Sequence, residues 1–207
     1  MIITPLKPQL KPQLTFDQFI TQLPDEEGRF EFVNGEIMRI LPTRHHETIA
    51  EFIADCFKDE IKRLKLNYWT SGRIVIRTLT NRGKEQGRNP DVSVIDKTIW
   101  NANRNAYSAI REPLQLAVEV VSTNWEDDYF DKLSEYQNLG ISEYWIVDYL
   151  GLGTRDLLGN PKLPSIFVYL LDENGVYQSN RYQDTDKIIS RTFPELNITV
   201  NEIFSVE

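Results

Sequence analysis

Leu116-Ala117-Val118-Glu119-Val120-Val121-Ser122 is the stretch on which the reading of this chain turns. β-Branched and small apolar residues surround one carboxylate, so the run from Leu114 to Val121 predicts a buried strand. Burying Glu119 inside it is costly unless a cation or a hydrogen-bond donor compensates the charge. Downstream, Glu126 to Leu139 predicts a helix that stops at Gly140, and Tyr144 to Val147 predicts the next strand. Upstream, Val92 to Ile95 reads as a short strand entered from Pro90-Asp91, and Arg73 to Leu79 as another, with Ile74 and Ile76 alternating with polar neighbours. Asn81 to Arg88 reads as a polar loop and Lys97 to Glu112 as a polar excursion over the surface. Before them, Ile49, Phe52, Ile53, Phe57, Ile61 and Leu64 recur at helical spacing, giving a long amphipathic helix from about His45 to Leu66. The order helix, strand, strand, strand, helix, strand indicates the α/β class, a mixed sheet with helices packed on it.

Farther out, Phe30 to Ile40 reads as two strands about an Asn34-Gly35 turn. Thr15 caps a short helix carrying Phe16, Phe19 and Ile20, and Pro24-Asp25 begins a turn. The repeated Lys-Pro-Gln-Leu at Lys7 to Leu14 suggests an extended arm over residues 1–13, ahead of a single domain at 14–207. At the other end, Ile166 to Leu171, Val176 to Tyr182 and Lys187 to Ser190 suggest short antiparallel strands, followed by a final Ile198 to Phe204 segment. An exposed strand edge near Val176 to Tyr182 leads us to expect a homodimer.

With 207 residues, 41% of them hydrophobic, the chain can bury a real core, and its net charge of −8 argues against a generic polyanion binder. Charge is unevenly placed: Gly72 to Arg111 holds eight basic and three acidic residues, whereas Glu112 to Leu150 holds nine acidic residues and Lys132 alone. No apolar run is long enough for a membrane span. One cysteine, Cys56, forms no internal disulfide, so a cytoplasmic location is expected. Two histidines and one cysteine exclude a zinc finger.

Asp91 and Glu119 lie 28 positions apart, on what neighbouring strand ends would bring together. Two close carboxylates repel unless they share a proton or a metal, and hard oxygen ligands favour Mg²⁺ or Mn²⁺. A loop through Thr123 and Asn124, with a helix running back along the sheet, would return Lys132 towards Glu119. Ser122 has no histidine placed to act as its base, which argues against a serine hydrolase.

Pro90-Asp91, Glu119-Val120-Val121-Ser122 and the segment DYFDKLSEYQNLGISEYWIVD from Asp128 to Asp148, with Leu14 to Phe19 and the Glu31 to Gly35 hairpin, resemble one family in their ordered combination. It is the Uma2 (DUF820) family of endonucleases, within the PD-(D/E)XK nuclease superfamily, and the resemblance covers most of residues 14 to 204. It implies a restriction-endonuclease-like core and metal-assisted hydrolysis of phosphodiester bonds, with DNA as the expected partner and RNA still open. Asp91, Glu119 and the backbone carbonyl of Val120 would hold Mg²⁺ or Mn²⁺, and Lys132 would orient the attacking water or stabilise the transition state. Where the superfamily pattern puts lysine, two positions after Glu119, this chain has Val121, so Lys132 is the candidate replacement. His46, Glu51 and Tyr136 are candidate accessory residues. Two other readings stand beside this one: a nuclease-fold protein that binds nucleic acid or regulates without cleaving, and a two-carboxylate glycosidase lacking clustered aromatic sugar platforms. In a purely structural alternative, Asp91 is a turn residue and Glu119 and Lys132 form an ion pair.

Overall fold

The expected mixed α/β architecture is present and is divided between two sheets; the computed structural model describes residues 14–23 and 28–207. The N-terminal arm and the Pro24-Asp25 turn lie outside the described residues. In chain order the elements are α1 (Phe16–Thr21), β1 (Arg29–Val33), β2 (Glu36–Ile40), α2 (Arg44–Leu64), β3 (Tyr68–Ser71), β4 (Val75–Leu79), β5 (Glu85–Arg88), β6 (Val92–Asp96) and α3 (Lys97–Asn101). They continue with β7 (Ala109–Ile110), β8 (Leu116–Val120), a π-helical turn (Asp127–Asp131) running into α4 (Lys132–Leu139), β9 (Glu143–Asp148), α5 (Arg155–Leu158), β10 (Ser165–Leu171), β11 (Tyr177–Tyr182) and α6 (Val200–Phe204).

One sheet has the order β2-β1-β5-β4-β7 and the other β11-β10-β9-β8-β6-β3. β8 and β9 are parallel, and the helical segment between them crosses over one face, as a parallel connection requires. Alternation sorts the β8 side chains: Leu116, Val118 and Val120 face the core under α2, and Ala117 and Val121 face the core under α4. Glu119 shares the second face. α2 starts at Thr43, whose hydroxyl accepts from the His46 N–H, and buries Ile49, Ile53, Phe57 and Ile61 against the six-stranded sheet. The β1–β2 hairpin turns at Asn34 and Gly35, with φ of 53° and 90°, the left-handed pair that a tight two-residue turn needs.

Several local expectations are corrected. Glu85 to Arg88 is not loop but β5, with Gln86 and Arg88 buried and Glu85 partly exposed, because each finds a partner. Gln86 accepts from the Asn34 N–H at 2.8 Å, and the Arg88 guanidinium forks onto Glu135 with two bonds of 2.8 Å. The polar excursion contains α3 and the two-residue β7, which pairs parallel to β4. β3 precedes it unforeseen, pairing antiparallel to β6. Lys187 to Ser190 forms only an isolated bridge, Lys187 to Thr199, and Val200 to Phe204 is helical, because Thr199 and Glu202 complete a capping box.

Arg88 is 1% exposed and also lies 3.4 Å from Glu31. Arg88→Met is therefore expected to lower stability by about 3–5 kcal/mol, because Glu135 would be left buried without its cation and Glu31 with Lys132 alone. Adding Glu135→Leu should recover part of the loss, and urea denaturation of the two variants checks both steps.

Candidate functional site

The register of β6 against β8 pairs Val92 with Val118, so one further step sets Asp91 opposite Glu119 at the same end of the sheet. The Asp91 carboxylate turns onto β8 and accepts from the Val120 N–H at 2.7 Å. Behind it, Gly72 leaves room that a side chain would fill, since a Cβ there would meet the Asp91 carbonyl oxygen at 2.7 Å. Arg29, from β1, donates to Asp91 Oδ1 at 2.7 Å and grips Asn89 through its side-chain and backbone oxygens. His46 Nε2, from the first turn of α2, lies 3.2 Å from Asp91 Oδ2.

Glu119 is 2% exposed, and both of its oxygens are engaged. Lys132 Nζ donates to Oε2 at 2.9 Å and the Tyr136 hydroxyl donates to Oε1 at 2.6 Å. These two donors sit one turn apart on α4, which the crossover lays against β8, so one helix face reaches both oxygens. Lys132 Nζ also lies 3.0 Å from Asp128 Oδ1 and 3.7 Å from Glu31 Oε1. Glu31 in turn accepts from the Asn89 N–H at 3.1 Å, joining the N-terminal hairpin to the strand that carries Asp91.

The electrostatics follow from burial and crowding. Burial pushes Glu119 up to about 8; Lys132 opposes the rise, and the charges of Asp91, Asp128 and Glu31 add to it. Asp128 rises to about 6, first through burial and against the pull of Lys132. Asp91 goes the other way, because the His46 hydrogen bond and the charges of Arg29, His46 and Lys132 outweigh its burial. Lys132 is held charged: burial works against it, and Asp128, Glu119 and Glu31 prevail. Glu31, Asp91, Glu119 and Asp128 thus crowd around Arg29 and Lys132, with Arg88 beside Glu31 and His46 beside Asp91.

Asp91, Glu119 and Val120 line a cavity of about 80 Å³, shared with Arg29, His46 and Lys132. That is space for two or three waters. Among the described residues no group of three or more His, Cys, Asp or Glu side chains is arranged to hold a metal ion. The donors present are two carboxylates and a backbone carbonyl, a set that fits Mg²⁺ or Mn²⁺, which keep several waters and take few protein ligands. Arg29 and His46 already occupy the Asp91 oxygens, so a metal ion would have to displace them in part.

The structure brings together Asp91, Glu119, Lys132, Tyr136 and His46. Glu51 stands apart, exposed, on a neighbouring cleft beyond Arg29. Sequence reading missed Arg29, Glu31 and Asp128. Asp128 had a signal in its i, i+4 spacing to Lys132, and Glu31 had one in its place between Phe30 and Phe32.

Comparison with known proteins gives two findings. The family model Uma2, described as "Putative restriction endonuclease", matches residues 16–201. A crystal structure of a "putative nuclease belonging to DUF820" from Anabaena variabilis is similar with a TM-score of 0.68, at 16% identity, over 93% of this chain and 98% of that one; this likeness is one of fold. No curated protein matches the chain.

Proposed function

The chain belongs to the Uma2 family, and from that membership and the geometry of the Asp91 cluster we propose that it is a divalent-metal-dependent endonuclease hydrolysing the phosphodiester bonds of DNA. The observation that carries this reading is the pair of strand-borne carboxylates sharing a small cavity with one buried lysine. Two carboxylates facing one small cavity are suited to a cation and to a phosphate brought with it.

In this reading Asp91, Glu119 and the Val120 carbonyl would hold Mg²⁺ or Mn²⁺. The ion, when bound, supplies Lewis acidity that makes a water nucleophilic at neutral pH and neutralises charge on the scissile phosphate. Tyr136 fixes the Glu119 carboxylate from behind through its 2.6 Å hydrogen bond. Lys132, held protonated by its three acidic neighbours, presents an ammonium to the developing negative charge. Arg29, 13% exposed at the cavity wall, would supply a second positive charge towards the phosphate. His46 is an accessory group that steadies Asp91. The domain is proposed to act as one unit over residues 14–207. β11, at the edge of the six-stranded sheet, is where pairing into a homodimer is proposed. Among the described residues no helix is long and apolar enough to cross a membrane.

Calorimetric titration with Mn²⁺ tests the metal site. Weak binding is expected in the wild type, because Arg29 and His46 compete for Asp91, and none in Asp91→Ala or Glu119→Ala. Unchanged binding heats in both variants would place the metal elsewhere.

A further inference from the structure

Hydrolysis of a phosphodiester by water releases a proton that a group at the site has to accept, and most groups around the cavity are already committed. Asp91 accepts from Arg29 on Oδ1 and from the Val120 N–H on Oδ2. Glu119 accepts from Lys132 on one oxygen and from Tyr136 on the other. Glu31 accepts from the Asn89 N–H and from Arg88. His46 turns Nε2 towards Asp91, and its Nδ1 is sealed from the cavity. Lys132 is held charged by its acidic neighbours, so it has no lone pair to offer.

Asp128 differs from the other buried carboxylates. It lines the same cavity of about 80 Å³ as Asp91, Glu119 and Lys132, and it is 5% exposed. Lys132 Nζ lies 3.0 Å from its Oδ1, whereas among the described residues no donor hydrogen-bonds its Oδ2. The backbone gives a second, independent sign. Asp127–Asp131 is a π-helical turn, closed by the Lys132 N–H on the Asp127 carbonyl, and such wide turns at the start of a helix recur at functional sites. Here the turn buries two successive residues, Asp128 and Tyr129. Both are anchored to β9: the Tyr144 hydroxyl donates to the Asp128 carbonyl at 2.9 Å, and the Tyr129 hydroxyl donates to Asp148 Oδ2 at 3.0 Å. The backbone that presents the Asp128 carboxylate to the cavity is thereby fixed.

We propose that Asp128 is the general base of the hydrolysis, its Oδ2 taking a proton from the attacking water as the water oxygen bonds to phosphorus. This rests on the nuclease reading and gives a third carboxylate a role distinct from those of Asp91 and Glu119. The bond from phosphorus to the leaving sugar oxygen breaks with its electron pair on that oxygen, which takes a proton from solvent water. Asp128 then returns its own proton to solvent, so the site is restored without another reactant. Burial and the charges of Asp91 and Glu31 lift Asp128 to about 6 against the pull of Lys132. It is therefore ionised at neutral pH and more basic than an ordinary carboxylate. Its neighbours on the turn are placed less well: Asp127 stands at the rim of the cavity with its side chain 31% exposed, and Asp131 is exposed and does not line it.

Cleavage of labelled DNA in Mn²⁺ by Asp128→Asn and Asp128→Ala, at a temperature where melting curves show both folded, tests the assignment. Asp128→Asn is expected to be slower than the wild type by ~10²- to 10⁴-fold, the range for losing a general base. Its calorimetric Mn²⁺ binding should match that of the wild type, because neither proposed carboxylate ligand is touched. Asp128→Ala should be as slow and should speed up with added formate, a small carboxylate that enters the space left by the side chain. Formate should leave the wild type and Asp128→Asn unchanged, since one has its base and the other has that space filled. Asp131→Asn, outside the cavity, should cleave as the wild type does. Asp128→Asn at the wild-type rate would overturn the assignment, and so would Mn²⁺ binding lost with Asp128. An Asp128→Ala that stays slow at every formate concentration would overturn it too, because Asp128 would then act only by holding Lys132. In each of these cases a wild type that cleaves keeps the nuclease reading standing. A wild type inactive with every divalent ion would sink that reading and the general base with it.

Discussion

Lys132→Met is expected to slow DNA cleavage by ~10²-fold or more and, separately, to lower stability by about 3–5 kcal/mol. The two effects have different origins. Activity falls because the ammonium next to Glu119 is the buried positive charge able to meet the developing charge on the phosphate. Stability falls because Glu119, Asp128 and Glu31 lose the cation that holds them, at 2.9, 3.0 and 3.7 Å. For a domain of this size the loss corresponds to a melting temperature lower by roughly 6–20 °C. Rates therefore have to be compared at a temperature where the variant is folded, and Mn²⁺ binding should be retained because both proposed carboxylate ligands remain. Adding Asp128→Asn removes one of the stranded charges without touching a proposed metal ligand. The double variant should regain part of the stability and stay slow. If its cleavage recovers together with its melting temperature, Lys132 is a structural cation and a different group stabilises the transition state.

Asp91→Asn is expected to lower cleavage at least ~10³-fold, the scale of several kcal/mol of metal-borne charge stabilisation lost with a ligand. The same substitution should also destabilise the metal-free protein, and here Asp91 and Glu119 part company. Asp91 is held below its ordinary value of 3.8 by His46, Arg29 and Lys132, so its charged form favours the fold; that contribution is present above pH 3.8 and lost as pH falls below it. Glu119 is pushed from 4.5 up to about 8, so the folded chain keeps a proton that the unfolded chain has given up; its contribution is lost as pH rises through that window. Glu119→Gln should accordingly flatten the decline of metal-free stability between pH 5 and 8, where Asp91→Asn lowers the whole curve. Thermal melts across that pH range, recorded in EDTA, separate the two acids. Equal curves for the two variants would mean that the surroundings do not distinguish them.

The carboxylate–lysine constellation was legible because it follows from local rules. An acid set in an apolar strand demands compensation, and a short strand–helix–strand connection leaves the helix little choice but to lie back over that strand, which sets Lys132 beside Glu119. The Asn34-Gly35 turn and the amphipathic α2 were legible for the same kind of reason, since turn chemistry and periodicity are written locally. β5 was not, because Gln86 and Arg88 are buried through partners 47 to 57 residues away in sequence or carried on another hairpin, and a polar run without those partners reads as loop. Arg29 and Glu31 were hidden likewise: their contacts with Asn89, Asp91 and Lys132 span the two sheets, and no spacing rule connects them. The helical end at Val200–Phe204 was legible in principle. Thr199 and Glu202 spell a capping box, and the apolar Ile198, Val200 and Ile203 drew attention to strand alternation instead.

Nicking of supercoiled plasmid by the wild type and Asp91→Asn, side by side in Mg²⁺, Mn²⁺ and EDTA, tests most directly whether the Asp91 and Glu119 cluster is a metal-dependent nuclease centre. Open-circular product is expected from the wild type with either metal ion, none in EDTA, and at least ~10³-fold less from Asp91→Asn. Nicking by Asp91→Asn at the wild-type rate, or a wild type that leaves the plasmid intact with both ions, would contradict it.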